Sequence, residues 1–582
     1  MIRQNPPSYT KGCQALDGTA KQALDTARNR LLMTGALFLI AFAVIGARLI
    51  DLTMMRDGHE PRLAQAAGLG ILKKERADII DSRGVLLATS LAMSSLYANS
   101  RRILDAEEAM EKLKSVLPDL DEKLTRTRLT SRRRSSVLIY RHLTPRQKYA
   151  VNRLGIPGLY FQHEERRVYP HGNLAAHVLG FSGIDHHGLA GIEHSLNDEL
   201  RESSDPLKLT LDIRVQSILH QELSRAREEY QAIGGTGMVM DAHNGEVLAL
   251  VSLPDFDPNN PVNINDEASF NRATLGVYEM GSTFKIFTTA MALESGTVGL
   301  DGGYDATEPI QIGRFTIRDH YPKRRWLTVP EILIYSSNIG AAKMASDVGT
   351  ANQRAFLHKL GMLSPATIEL PEVGAPLVPS PWRKINTMTV AYGHGLAVSP
   401  IQLTTGIATM INGGLFYPAT LLPRVKRETG TIERAPEKGE PGSHVLSPDT
   451  SEQIRRLMRL VVVEGTGKRA AVNGYLVGGK TGTAEKSARG GYSAKALLSS
   501  FVSAFPMTAP RYVVFVMLDE PKGTEETFGY ATGGWIAAPV ARRVIARTAP
   551  MLGIPPVDEN TPEIQSEMMV NITPRGPSLA SF

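Results

Sequence analysis

The stretch Gly281-Ser282-Thr283-Phe284-Lys285, GSTFK, lies just past the middle of a 582-residue chain. A serine three residues before a lysine arises by accident about once or a few times in such a length, so its surroundings must decide what it means. A helical pattern follows at once: Ile286, Phe287, Ala290 and Leu293 form one apolar stripe that closes at Gly296. Ser282 therefore stands where a helix opens, beside unpaired backbone N–H groups and the positive end of the dipole. Lys285 sits one turn on, on the same face. Two further motifs follow in order, Ser336-Ser337-Asn338 and Lys480-Thr481-Gly482-Thr483, at separations of 54 and 144 residues. The last falls on a strand candidate, Tyr475–Thr483, with two more behind it at Leu497–Phe505 and Tyr512–Leu518. Alternating apolar residues flank Asn244-Gly245 between Gly235 and Pro254, the pattern of a hairpin. A hairpin, many helices and closing strands predict an α+β domain with an antiparallel sheet.

Each motif alone has a bland reading: a helix cap for Ser-Ser-Asn, a turn for Lys-Thr-Gly-Thr. Ordered together, they describe nucleophilic catalysis. A serine hydroxyl attacks poorly until a base takes its proton. Lys285 can be that base only if neutral, and burial or a neighbouring cation such as Lys480 would favour neutrality. Ser336 can relay a proton between Lys285 and a leaving amine. Asn338 can donate to a carbonyl and accept from an amide, which suits a peptide substrate. Lys480, Thr481 and Thr483 suit an anionic terminus, and Gly482 is expected to let substrate backbone approach closely. The N–H groups of Ser282 and Thr483 would then form an oxyanion hole. The segment Glu464–Lys468, EGTGK, hints at a phosphate loop, but it lacks the earlier glycine and the following hydroxyl residue, so that reading is rejected.

The length implies about two to four domains. A hydrophobic content of 42% and a charged content of 21% are those of a globular chain. The net charge of +6 is modest, and the clusters Arg132–Arg134 and Lys323–Arg325 read as solvated loops rather than nucleic-acid contacts. The single cysteine, Cys13, allows neither an internal disulfide nor a thiolate metal cage. His186 and His187 sit in a glycine-rich segment, Gly180–Glu193, and read as part of a surface loop, not a metal site. No metal or cofactor is implied.

Leu31–Ala47 is 17 residues without a charge. As a helix it spans ~26 Å, and snorkelling by Arg48 extends it to residue 52. Five cations precede it against two carboxylates, which predicts a cytoplasmic N-terminus and an uncleaved anchor. The expected organisation is a polar, flexible tail over 1–30, an anchor over 31–52, a mixed α/β pedestal over 56–204, a catalytic domain over 205–556 and a disordered tail over 557–582. Within the pedestal, RADIIDSRGVLLATS from Arg76 reads as strand–turn–strand and Ile103–Leu117 as an amphipathic helix. Leu207–Gln216 reads as a strand leading into a long helix.

The ordered trio resembles the recurrent signature of penicillin-binding proteins and class A β-lactamases. From about Arg76 to Pro539 the chain resembles the class B penicillin-binding proteins. RVYPHGNLAAHVLGF (Arg167–Phe181), GLAGIE (Gly188–Glu193), AYGHGLAVSPIQL (Ala391–Leu403) and FPMTAPRYVVFVMLDEP (Phe505–Pro521) carry the resemblance, and it is nearer the cell-division type than the elongation type. Met280 stands where the family usually has proline, and Ala77 where glycine is frequent. The resemblance implies a peptidoglycan D,D-transpeptidase with Ser282, Lys285, Ser336, Asn338 and Lys480 catalytic and Thr481, Gly482 and Thr483 binding substrate. It implies β-lactam inhibition and a penicillin-binding, β-lactamase-like fold. It also implies, as partners, a membrane glycosyltransferase polymerase and other division proteins, since no polymerase domain fits before residue 205. An elongation-type member is the main alternative and a β-lactam sensor the lesser one.

Overall fold

The computed structural model describes residues 13–50, 76–131, 135–261, 266–313, 315–426, 432–433, 442–488 and 491–570. Residues 51–75, which include the start of the expected pedestal, and the cluster Arg132–Arg134 lie outside them.

The described residues of the N-terminal unit form one helix, α1 (Cys13–Ile50). Its stretch Arg28–Ala47 has a mean hydropathy of 2.1 and buries none of its surface, so its length and composition suffice to cross a bilayer. The helix starts well before the apolar run, where a flexible tail was expected. Ala20, Lys21, Gln22, Ala23 and Leu24 are strong helix formers, and the helical register carries through them.

The second unit begins near Lys74. Its pedestal opens with β1 (Ile79–Ile80) and β2 (Leu86–Ala98). Asp81 holds the turn between them by accepting from the N–H groups of Arg83 and Val85, each at 2.8 Å. There follow α2 (Ala106–Val116), α3 (Glu122–Thr130), β3 (Val137–Leu143), α4 (Pro145–Arg153), β4 (Leu159–Val168) and β5 (Leu207–Lys208). Asp105 and Asp121 cap α2 and α3, and a capping box of Thr144 and Gln147 starts α4. β2 is central, antiparallel to β4 along Thr89–Ala98 and to β3 along its second half. Leu96, Met110, Leu113, Leu117 and Ile139 form a core of the pedestal's own.

The strand expected over Leu207–Gln216 is only two residues long. Asp212 accepts from the N–H of Arg214 and caps α5 (Ile213–Glu229), whose Val215, Leu219, Leu223 and Ala226 are buried at helical spacing. The apolar residues from Ile213 onward fit a helix as well as a strand, and the cap decides between them. β5 lies parallel to β1, and one apolar cluster runs from Ile79 and Leu87 through Leu209 into the catalytic domain.

That domain is built on five antiparallel strands. They are β6 (Gly234–Asp241), β7 (Val247–Leu253) and, beyond β8 (Phe315–Ile317) and β9 (Trp326–Thr328), β10 (Gly478–Ala488), β11 (Gly491–Phe505) and β12 (Tyr512–Asp519). Their order is β10-β11-β12-β6-β7. Both faces are covered, as the period of two requires. Val513, Phe515 and Met517 join the main core, whereas Val514, Val516 and Leu518 meet α5 and a later helix, Ala537–Thr548. On the main-core side lie α6 (Lys285–Glu294), α7 (Asn338–Val348), α8 (Pro400–Ile411) and α9 (Pro448–Val463); the later helix is α10. Ser447 caps α9, and Ile454, Leu457, Met458 and Val461 face inward as their spacing predicts. Beyond α10, residues to 570 are not the disordered stretch expected. Val557 N–H donates to Gly474 O at 2.8 Å, and α11 (Pro562–Met568) buries Met568 in the main core.

Two of the family segments, Arg167–Phe181 and Gly188–Glu193, meet each other and Arg76 at the base of the pedestal. Glu193 is wholly buried. Its carboxylate accepts from Arg76 Nε and, at 2.7 Å, from Arg167 Nε, while Tyr169 Oη lies 3.3 Å away. Arg76 Nη1 also reaches His186 O at 3.1 Å and Asn197 Oδ1 at 2.9 Å, which shapes the glycine-rich loop.

Candidate active site

Ser282 does not lie in the α-helix proper. It sits in a 3₁₀ turn, Gly281–Phe284, that leads into α6 at Lys285. The turn is tight because two glycines meet there. Gly281 has φ 56°, and a Cβ on it would lie 2.7 Å from Thr483 O. Gly393 has φ 83°, and its Cβ would lie 2.0 Å from Gly281 O. Only glycine fits either position. Met280 keeps φ at −83°, close to the −65° or so that a proline fixes, so the departure from the family leaves the approach to the turn intact.

Lys285 is 1% exposed. Its Nζ lies 2.9 Å from Ser282 Oγ, 3.0 Å from Ser336 Oγ, 2.7 Å from Ser336 O and 2.7 Å from Asn338 Oδ1. An ammonium has only three hydrogens for these oxygens. A neutral amine can donate to the two at 2.7 Å and turn its lone pair to the hydroxyl of Ser282. Burial first, and the charge of Lys480 second, hold Lys285 well below its ordinary value, with Asp319 acting the other way. Lys480, also fully buried, is brought down to about 7 by burial. Its Nζ lies 3.1 Å from Ser336 Oγ, so that hydroxyl stands between two amines. Ser336 holds φ 58°, the left-handed region that residues with a Cβ seldom enter.

Asn338 is used more fully than its sequence suggests. Its oxygen is taken by Lys285, and its amide donates to Arg318 O at 2.9 Å, which leaves one N–H for a ligand. Gly482 serves a different end from the one expected. A Cβ there would lie 2.3 Å from Ser500 Oγ and 2.8 Å from Met280 O, so the missing side chain admits the Ser282 turn rather than substrate backbone. Thr481 Oγ1 lies 2.8 Å from Thr466 Oγ1, and Thr483 Oγ1 accepts from Gly533 N at 3.1 Å. The structure thus brings all eight singled-out residues together, around one edge strand, one turn and the start of one helix.

Sequence reasoning missed three supports. Thr466 belongs to the segment rejected as a phosphate loop; its place is behind β10. Asp319, between β8 and β9, accepts from Ser337 Oγ at 2.7 Å and Ile339 N at 2.9 Å. No spacing signal marks it. Glu279 accepts from Gly395 N at 2.8 Å, which ties the Tyr392–Gly395 loop to the Ser282 turn. The glycine pair in that loop was the available clue. Glu485, two residues beyond Thr483 on β10, is exposed.

Comparison with known proteins agrees with this geometry. Residues 235–546 match the penicillin binding protein transpeptidase domain, and residues 71–220 match the penicillin-binding protein dimerisation domain. The chain is 40% identical over 493 residues to a probable peptidoglycan D,D-transpeptidase FtsI of Caulobacter vibrioides, covering 82% of each chain. It is 32% identical over 520 residues to the probable peptidoglycan D,D-transpeptidase PenA of Neisseria meningitidis, covering 83% of this chain and 86% of that one. A crystal structure of penicillin binding protein 3 from Mycobacterium tuberculosis, complexed with aztreonam, shares the fold with a TM-score of 0.65 at 23% identity, covering 83% of this chain and 98% of that one. With two domains matched in order and the serine–lysine cluster at their shared catalytic end, the chain belongs to the class B penicillin-binding proteins.

Proposed function

We propose that this protein is a membrane-anchored peptidoglycan D,D-transpeptidase that cross-links stem peptides during septal wall synthesis. The observation that carries the reading is the set of contacts of Lys285 Nζ with Ser282, Ser336 and Asn338, closed on the far side by Lys480. In this mechanism Ser282 Oγ attacks the carbonyl carbon between two terminal D-alanines as its proton passes to neutral Lys285. The C–N bond breaks, and the departing D-alanine amine takes a proton through Ser336. An amine of a second strand then attacks the acyl carbon and gives up a proton to Lys285, Ser282 Oγ leaves with that proton from Lys285, and a new amide remains. Lys480 and the hydroxyls of Thr481 and Thr483 receive the donor's terminal carboxylate, and the N–H groups of Ser282 and Thr483 stabilise the oxyanion. Contact between the Ser282 turn and the Thr483 strand supports that pairing.

The division assignment draws on the likeness to FtsI; an elongation role has no comparable support. The sensor alternative would call for several spans, and the described residues hold one candidate helix. We place the catalytic domain outside the cytoplasm, because the positive flank precedes the span. Wall polymerisation then falls to a partner glycosyltransferase. Labelled penicillin should attach covalently to Ser282, and Ser282→Ala should abolish labelling while the circular-dichroism spectrum stays unchanged. Labelling that survives the substitution would falsify the assignment.

A further inference from the structure

Resting on the transpeptidase reading, we propose that the exposed loop Arg318–Trp326 is the acceptor subsite, where a carboxylate of the second stem peptide is held. The loop joins β8 to β9 and is fastened to the catalytic cluster from behind. Asp319 binds Ser337 and Ile339 with its two oxygens, and Arg318 O binds Asn338. A ligand on its outer face is therefore adjacent to Ser336 and Asn338.

The loop's charge is unbalanced on that outer face. Arg318, His320, Lys323, Arg324 and Arg325 are all exposed. The two nearest acids are occupied: Asp319 is turned in to the start of α7, and Glu331 is held by Arg325 at 2.6 Å. Among the described residues, no carboxylate lies within ion-pair distance of Arg318, Lys323 or Arg324. Lys323 is not loose. Its Nζ lies 4.5 Å from the ring centroid of Tyr335, the residue that precedes Ser336. A cation over an aromatic face is held in position without losing its charge. The sequence reading of Lys323–Arg325 as a solvated loop missed this, because the ring comes from a different segment.

The chemistry requires such a site. Transpeptidation uses two peptides, and each ends in a carboxylate. The donor's is answered by Lys480 and the threonines at one end of the cleft. The acceptor brings an amine and its own carboxylate, and nothing in those motifs serves the second anion. A lysine held over the ring of Tyr335 and two guanidinium-bearing residues, on a loop bonded to Asn338, supply what is missing.

The test separates acceptor binding from acylation. A D-alanyl thioester donor acylates Ser282, and the acyl-enzyme then partitions between water and an added tetrapeptide acceptor, used with free carboxylates or fully amidated. The wild type should favour the acid acceptor, and the preference should weaken at high salt. In the double variant Lys323→Glu/Arg324→Glu, penicillin acylation should hold within about two-fold, while aminolysis by the acid acceptor falls about ten-fold and that by the amidated acceptor does not. Equal use of both acceptors by the wild type, or a double variant that keeps the acid preference, overturns the subsite. A wild type that penicillin fails to acylate overturns the transpeptidase reading instead, and the subsite with it.

Discussion

Ser337 Oγ lies 2.7 Å from Asp319 Oδ2, and Ser337 stands in the chain between Ser336 and Asn338, both of which touch Lys285. The same carboxylate accepts from Ile339 N, at the first turn of α7, where an anion is favoured by unpaired N–H groups and the helix dipole. Asp319 thus positions Ser336 and Asn338 without facing the reacting atoms. Asp319→Ala should lower the rate of penicillin acylation by about ten- to a hundred-fold, with a change in kcat rather than KM for a thioester donor. Asp319→Asn keeps the shape and one acceptor, so it should restore much of the rate. Because Asp319 opposes the lowering of Lys285, the Asn variant should also move the acidic limb of the pH–rate profile to lower pH. An Asn variant as slow as Ala, with an unmoved limb, would count against both roles.

The two buried lysines make a pH prediction. Lys285 must be neutral to take a proton, whereas charged Lys480 draws the donor carboxylate. Lys285 is held well below its ordinary value by burial first and by that neighbour's charge second, so the profile of kcat/KM should be a bell whose two limbs belong to the coupled pair. The basic limb should fall near the value of about 7 at which Lys480 loses its proton. A flat profile from pH 6 to pH 9 excludes the arrangement.

Lys480 also bears on stability. Its folded value is about 7, against ~10.4 for a lysine in the unfolded chain. Below pH 7 both states carry the proton, and the folded state bears the full cost of the buried charge. Above it the folded state releases the proton, and the cost fades until the unfolded chain also deprotonates near pH 10. Lys480→Met should therefore abolish acylation yet raise the melting temperature at neutral pH, with the gain shrinking toward pH 10. A variant that melts lower than wild type at every pH would show that the amine's hydrogen bonds outweigh its desolvation.

At the pedestal base, Glu193 is the shared partner of Arg76 and Arg167. Removing it leaves two buried guanidinium groups without their counter-charge, a loss of about 3–5 kcal/mol in comparable cases. Glu193→Ala should lower the melting temperature by several degrees, measured by calorimetry. Removing an exposed pair such as Lys112–Glu108 should change it by less than the experimental scatter.

Much of this was legible because the informative signals were local. The hairpin at Asn244-Gly245, the cap at Ser447 and the stripe after Lys285 each use a few neighbouring residues, and β6, β7, α9 and α6 follow. The catalytic trio could be read as a set because each motif is short and the order is fixed. What stayed hidden was contact between distant segments. Asp319 and Thr466 carry no spacing that points to Ser337 or Thr481, and the ring of Tyr335 meets the exposed Lys323 only in the fold. Gly482 was assigned an open approach because a glycine on an edge strand looks vacant until the Met280–Thr283 turn is placed against it. The helix from Cys13 and the helix at Pro562–Met568 were missed for another reason: polar composition was taken as disorder where helix-forming residues prevailed.

The last prediction concerns the acyl-enzyme after penicillin has opened. Its hydrolysis needs a base aimed at a water beside the ester. The carboxylates around Ser282 are poorly placed for that work. Glu279 is held by Gly395 N–H at 2.8 Å, and Asp319 is held by Ser337 and Ile339. Glu485 lies two residues beyond Thr483 on β10, on the same strand face, and is exposed. Slow hydrolysis suits the cross-linking reaction, because it preserves the ester until an amine arrives. The penicilloyl adduct on Ser282 should therefore persist for minutes or longer by mass spectrometry, and Glu485→Gln should leave its decay unchanged. Decay within seconds that Glu485→Gln abolishes would make Glu485 a deacylating base and the protein a β-lactamase in practice, anchor and pedestal notwithstanding.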